Sequence, residues 1–220
     1  MSIQSEIKSI TKLLPNNIKL VAVSKTKPIE DIKEAYDCGQ RLFGENKALE
    51  MRDKHAVLPE DISWHFIGHL QTNKVKYIVP FVSMIHSVDS LKLLNEINKE
   101  ARLKGRIIDC LLEIRIATEE TKFGMNEAEA AILLSSQQFS QMENINIRGV
   151  MGIGSITDDK EQTRAEFAHL RQIFLKFKER YFANNALFSE ISMGMSSDYQ
   201  IGIEEGATII RIGSTIFGSR

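Results

Sequence analysis

The chain has 220 residues, enough for one large domain of barrel size or for two small ones. Its 28 Lys and Arg balance 29 Asp and Glu for a formal charge of −1. Neither half carries a basic excess, which argues against binding to a nucleic-acid backbone. The opening "MSIQSEIKSITKLL" mixes charge with Ile and Leu at helical spacing, unlike a signal peptide, and no run approaches the ~20 apolar residues of a membrane span. A cytoplasmic protein without membrane or nucleic-acid partners is expected. Cys38 and Cys110 stand alone, with no CxxC and no metal-type spacing to a histidine, so both are expected to be reduced core or near-core residues.

Along the chain, short β-branched runs alternate with amphipathic stretches. The predicted strands cover 18–25, 41–46, 63–70, 81–89, 107–116, 145–154, 186–195 and 208–218. After the first, Pro28 suits a first helical position, Glu30 and Asp31 fall in the positive first turn, and Gly39 is placed as a left-handed stop. A helix over 89–104 carries Leu91, Leu94, Ile97 and Ala101 on one stripe before Gly105. Over 158–182, Asp158 and Glu161 have capping-box spacing, and Phe167, Leu170, Phe174, Phe177 and Tyr181 recur at steps of three and four.

Strands buried on both faces, alternating with one-faced helices, predict a parallel sheet with helices outside; eight such units predict an α/β protein with a closed, TIM-type (β/α)₈ barrel. An open doubly wound sheet is the alternative. No linker rich in Pro, Gly or Ser divides the chain, and only four prolines occur, so residues 1–220 are read as a single domain. Too few residues follow the eighth strand for an eighth helix, and the N-terminal helix, residues 2–14, is expected to cover that gap in the wall.

The stretch "KLVAVSKTKP" (19–28) ends a buried strand on a lysine. Strand alternation puts Val21, Val23 and Lys25 on one face, and in a barrel that face can point inward, with Lys25 at the C-terminal mouth where barrel enzymes keep their chemistry. An amine held against apolar walls has its charged form disfavoured and suits attack on an aldehyde. A loop lysine reaching for solvent is the other reading, and Lys27 fits that one better. "SMGMSSD" (192–198) and "RIGSTIFG" (211–218) supply small residues and hydroxyls after strands seven and eight, where barrels frequently bind phosphate. A phosphate there and an amine at strand one describe a phosphorylated aldehyde.

The blocks "AVSKTKP", "FGEN", "WHFIGHLQTNK", "RGVMGI", "SMGMSSD" and "RIGSTIFG", in that order across nearly the whole chain, resemble the pyridoxal 5′-phosphate homeostasis protein family, related to the N-terminal barrel of alanine racemases. The resemblance implies a barrel of PLP fold type III, expected to lack the racemase C-terminal β domain, that takes part in intracellular homeostasis of this vitamin B6 cofactor. It implies pyridoxal 5′-phosphate held as a Schiff base on Lys25, its phosphate on Ser196, Gly213 and Ser214, and its pyridine nitrogen facing Arg211. A guanidinium offers only donors and so favours an unprotonated ring, a weak electron sink. Transamination is then not expected. Racemisation survives that argument, but racemases add a second domain with an opposing tyrosine from the partner subunit, which this chain is expected to lack. No catalytic residue is assigned. A monomer is expected rather than an obligate dimer, with PLP-dependent apoenzymes as possible recipients of the cofactor.

Asn46 of "FGEN" either lines the cofactor pocket or makes a turn at a helix start. Met151 and Met193, at the ends of strands six and seven, either pack on a flat ring or fill the core; Met193 is expected to line the pocket. His65 and His69 share one strand face, and with no HExxH glutamate a metal is not expected; His69 either reaches the site or satisfies a backbone carbonyl. "MGIGSIT" (151–157) lacks the third glycine of GxGxxG and is rejected as a dinucleotide motif. In strand five Arg115 stands where the family pattern has an asparagine; by alternation it can pair with Glu113, and no cofactor contact is assigned there. Lys122 offers a second amine near the mouth or a solvated loop residue. Two alternatives to cofactor carriage are a low-activity racemase-like enzyme using Lys25 as its single base, and a phosphosugar aldolase of the lysine Schiff-base kind.

Overall fold

A computed structural model describes residues 2–117 and 123–218. Lys122 lies outside the described residues. The elements in chain order are α1 (Ile3–Leu13), β1 (Lys19–Val23), α2 (Ile29–Asp37), β2 (Leu42–Glu45), α3 (Ala48–His55), β3 (Ser63–Phe66), a 3₁₀ turn (Thr72–Lys74) running into α4 (Val75–Ile78), and β4 (Met84–Val88). There follow α5 (Leu91–Leu103), β5 (Ile108–Ile114), α6 (Glu127–Leu134), α7 (Gln137–Ser140), β6 (Ile145–Gly152), α8 (Lys160–Tyr181), β7 (Glu190–Ser192), α9 (Tyr199–Glu204), β8 (Ile209–Ile212) and α10 (Ser214–Phe217). The strands pair in sequence order, all parallel, and β1 also pairs with β8, closing the barrel.

All eight predicted strands are present, each shorter than its sequence run because the apolar pattern continues into the connecting segments at one or both ends. Gly39 and Gly105 end α2 and α5 with φ of 103° and 62°, the left-handed geometry that closes a helix at low cost in glycine. Two residues expected at helix starts stand one position away from the expected role. Asp159, not Asp158, caps α8, its carboxylate accepting from the amides of Glu161 and Gln162, and Pro28 precedes the first turn of α2 instead of opening it. Helix α1 touches both α2 and α10 and buries Ile7 and Ile10, so it covers the wall where α10, a single turn, leaves off.

Two apolar layers follow from strand alternation. The larger lies between the strands and the helices and takes in Ala22, Phe43, Trp64, Val150 and Ile210 together with the stripes of α5 and α8. The smaller fills the barrel and consists of Val21, Met84, Leu111, Met151 and Ile209. At the floor of the barrel Lys19 pairs with Glu190 at 2.5 Å, and the Thr208 hydroxyl donates to the same carboxylate at 2.7 Å. The inward positions above the apolar layer are polar: His65, His86, Glu113, Ser192 and Arg211 are all buried. The interior thus carries an ion pair at its floor, an apolar layer above it and polar side chains toward the mouth.

Candidate functional site

At the C-terminal mouth lies a cavity of about 370 Å³. Lys25 and Val23 line it from strand one, Asn46 and Ile67 from the ends of strands two and three, and Ile153 from strand six. Ser196, Ser197 and Met195 come from the loop after β7, and Arg211, Gly213 and Ser214 from strand eight and its turn. Of the site residues expected from sequence, Lys25, Asn46, Ser196, Arg211, Gly213 and Ser214 are therefore brought to one cavity. Met193 is not: it is fully buried in the layer between strands and helices. Ser192 points into the barrel, where it bonds His86 and Arg211, so its neighbour must point out, and Met195 is the methionine that reaches the cavity.

The loop after β7 is held in shape by its own polar contacts. The Asp198 carboxylate accepts from the Met195 amide at 2.5 Å, and the Gly213 amide donates to Ser196 Oγ at 3.3 Å, joining the two glycine- and serine-rich loops. As the acceptor in that bond, the Ser196 hydroxyl still has its proton to donate. Lys27 is not a plain solvent lysine: its Nζ donates to the carbonyls of Phe217 at 2.6 Å and Gly218 at 3.2 Å, at the C-terminal end of α10.

Beneath the cavity Arg211 is 4% exposed. It donates to Ser192 Oγ at 2.6 Å and to the Gly152 carbonyl at 2.9 Å, and burial lowers its guanidinium to about 10 against the opposing pull of Glu113 and Asp198, so it stays charged at neutral pH. Ser192 Oγ also lies 3.0 Å from His86 Nδ1, and His86 Nε2 lies 2.9 Å from His65 Nδ1. Because the guanidinium can only donate, the arrangement that leaves no hydroxyl proton unpaired has Ser192 donating to His86 Nδ1 and His86 Nε2–H donating to His65. Both imidazoles are then neutral. Burial pushes His65 down to about 4 and His86 well below its ordinary range, in keeping with that assignment. Nothing in the residue pattern foretells this hydrogen-bonded relay, although the alternation of β4 places His86 inward once the barrel is accepted.

His65 and His69 do not share a strand face. Strand β3 ends at Phe66, and His69 sits in the loop beyond, pairing with Asp89 at 3.2 Å and stacked on Phe123 at 4.0 Å. Neither is Glu113 paired with Arg115; among the described residues no ion pair joins them, and one Glu113 carboxyl oxygen, Oε2, is buried without a partner. Burial, then the nearby Asp89, raises this carboxyl from its ordinary 4.5 to about 7, with Arg211 opposing. A carboxyl raised on folding adds stability that is complete below pH 4.5 and is lost as pH rises through about 7. His65 and His86, lowered on folding, act in the opposite sense, so the comparison must be made against Glu113→Gln. That variant is expected to gain on the wild type by up to about 3 kcal/mol between pH 4.5 and 8, read from urea unfolding at each pH. Parallel curves would contradict the assignment.

Comparison with known proteins accords with this geometry. The family model described as "Alanine racemase, N-terminal domain" matches residues 1–220. A relative from Aquifex aeolicus, named pyridoxal phosphate homeostasis protein, is 40% identical over 206 residues, covering 93% of this chain and 88% of the relative. One from Synechocystis with the same name is 35% identical over 100% of this chain and 98% of its own length. Among solved structures, PipY of Synechococcus elongatus without PLP superposes with a TM-score of 0.92 at 36% identity, covering 99% of this chain and 100% of PipY; the form with PLP bound gives 0.88. Alanine racemase of Clostridium difficile, at 16% identity and a TM-score of 0.76 over 57% of its length, shares the fold alone. This chain belongs to the alanine racemase N-terminal domain family and, within it, to the pyridoxal phosphate homeostasis proteins.

Proposed function

We propose that this protein binds pyridoxal 5′-phosphate at the mouth cavity, covalently through Lys25, and serves to hold and supply it within the cell. The observation that carries this reading is the convergence of an amine, a hydroxyl- and amide-lined anion cradle and a buried guanidinium on one cavity of about 370 Å³. Such a volume is of the size small-ligand sites have, roughly 300–1,000 Å³. The residues fit the group in chemistry, an amine opposite hydroxyl donors, and Gly213 lets the turn that carries Ser214 pack against strand one, since an added Cβ would stand 3.2 Å from both Cβ and the carbonyl oxygen of Val23.

In this reading Ser196 and Ser214 hold the phosphate, with the Gly213 amide bracing Ser196 Oγ beside them, Arg211 faces the ring nitrogen, Asn46 lines the ring pocket, and Lys25 is the point of attachment. The cofactor supplies an aldehyde that condenses reversibly with a primary amine, releasing water. Arg211 carries a fixed positive charge with two of its donors already spent on Ser192 and Gly152, so it presents a donor and does not give a proton to the ring. That favours storage over carbanion chemistry. Apoenzymes dependent on the cofactor are the recipients on this view, the working state is a monomer, and the compartment is the cytoplasm; among the described residues no helix is long and apolar enough to cross a membrane.

The test is a titration of the purified protein with pyridoxal phosphate. Near-stoichiometric uptake that survives gel filtration, and transfer to an added apoenzyme, are expected. A protein that takes up none would overturn the reading. Ser196→Ala should weaken pyridoxal phosphate about tenfold or more, the cost of one hydrogen bond to a charged group, and leave pyridoxal, which has no phosphate, unchanged. Equal losses for the two ligands would remove Ser196 from the phosphate site.

A further inference from the structure

Behind the lysine loop lies a buried ionic cluster that the cavity does not include. Lys54, on α3, is 6% exposed. Its ammonium donates to the Ser24 carbonyl at 2.7 Å, to Glu45 Oε1 at 2.7 Å and to Glu50 Oε1 at 2.8 Å, which uses all three of its protons. Ser24 Oγ donates to the same Glu45 oxygen at 2.6 Å. The Glu50 oxygen that takes Lys54 also accepts from the Thr26 amide at 2.6 Å. The backbone on either side of Lys25 is therefore gripped by one i,i+4 pair: Lys54 holds the carbonyl before it, and Glu50 holds the amide after it.

The conformation so held is an expensive one. Thr26 has φ of 65° and is the one non-glycine residue with positive φ among the described residues. A β-branched side chain disfavours that region, and such strain persists only where the surroundings enforce it. The cluster itself is not an obvious source of stability, because a buried ion pair pays a desolvation penalty comparable to its attraction. Glu45 Oε2 is buried without a partner, and burial raises the Glu45 carboxyl above its ordinary range. A strained turn and a costly cluster, locked to each other around one residue, call for a purpose at that residue.

We propose that Lys54 and Glu50 are positioning residues that fix the turn at 24–26, so that the Lys25 amine is held toward the cavity and the cofactor is retained. The proposal rests on Lys25 as the point of attachment, and it adds the device that sets how fast that attachment forms and is lost. A loosened turn leaves the amine chemically intact but presented in the reactive direction only part of the time. Loading then slows and release quickens, while the label stays on Lys25.

Two variants test this. Glu50→Ala removes the Thr26 acceptor from a half-buried position and leaves Lys54 two partners, so it is expected to fold; Lys54→Met removes the hold on the Ser24 carbonyl and the ammonium that anchors Glu50. In cofactor-free protein, the rate at which Lys25 is modified by a trace amine-labelling reagent, relative to the other lysines in the same digest, should change severalfold in both variants. With pyridoxal phosphate, the loading rate should fall and the release rate should rise about tenfold, the worth of one hydrogen bond to a charged group. Thr26→Gly, which removes the strain that the grip offsets, should reduce the effect of Glu50→Ala in the double variant. A merely structural cluster would move the melting temperature and leave these rates alone. Wild-type rates in folded Glu50→Ala protein would overturn the proposal whether or not Lys54→Met folds. A wild type that never labels Lys25 with cofactor would instead sink the functional reading on which it rests.

Discussion

Lys25→Ala protein is expected to fold, to bind pyridoxal phosphate weakly and reversibly, and to lose it completely on dialysis. Folding should survive because Lys25 lies beyond the last residue of β1 and is half-buried at the cavity wall, so truncation opens no hole in the core. Weak binding should persist because Ser196, Ser214 and Gly213 do not depend on Lys25 for their positions; the Gly213 amide is tied to Ser196 directly. Complete loss follows because, among the described residues, no other amine lining the cavity is poised to replace it. Lys27 lines the same cavity, but its Nζ is committed to the carbonyls of Phe217 and Gly218, and withdrawing it would strip the end of α10 of its partner. A Lys25→Ala protein that still held the cofactor through a borohydride-reducible bond would show that the attachment point is another residue.

Gly149→Ala is expected to cost about 4 kcal/mol or more, beyond the range of ordinary surface or core substitutions, and to lower the melting temperature by about 10 °C or more for a chain of this size. Gly149 has φ of 154°, and a Cβ built there would lie 1.8 Å from the Glu190 carbonyl oxygen and 2.7 Å from its carbon. The clash is with backbone of the neighbouring strand and no rotamer relieves it. Its cause is a register shift between β5 and β6: Cys110 pairs with Ile147 but Leu111 pairs with Gly149, so Arg148 is skipped and the strand turns sharply there. Gly39→Ala provides the contrast, since an added Cβ there meets nothing within 4 Å and the cost should be only the roughly 1–2 kcal/mol of a left-handed alanine. Equal melting shifts for the two variants would contradict this reading of the bulge.

The fold was legible because two periodicities, one of strands buried on both faces and one of single-striped helices, alternate through most of the chain. What the pattern could not show was where a strand stops, since an apolar loop at a barrel mouth reads like more strand. A strand read past Phe66 puts His69 on the face of His65, and a strand read past Ser192 makes Met193 look like a pocket residue. A strand of only three residues, Glu190–Ser192, leaves its parity undetermined by alternation alone, and a slip of one position exchanges the two faces. The cavity residues were legible for a different reason: the lysine, the serine and glycine loops and the arginine carry the family pattern in order. Lys54 and Glu50 were hidden because an i,i+4 acid–base pair on a helix ordinarily reads as a solvated surface bridge. Only the packing of α3 against the lysine loop buries it. His86 and Ser192 were equally silent, each an ordinary residue in an apolar strand until closure of the barrel sets them side by side beneath Arg211.

The most direct test is to load the protein with pyridoxal phosphate, reduce it with borohydride and map the modified peptide by mass spectrometry. One phosphopyridoxyl group per chain, on Lys25, is expected. No fixed label, or a label on a lysine away from the mouth, would contradict it.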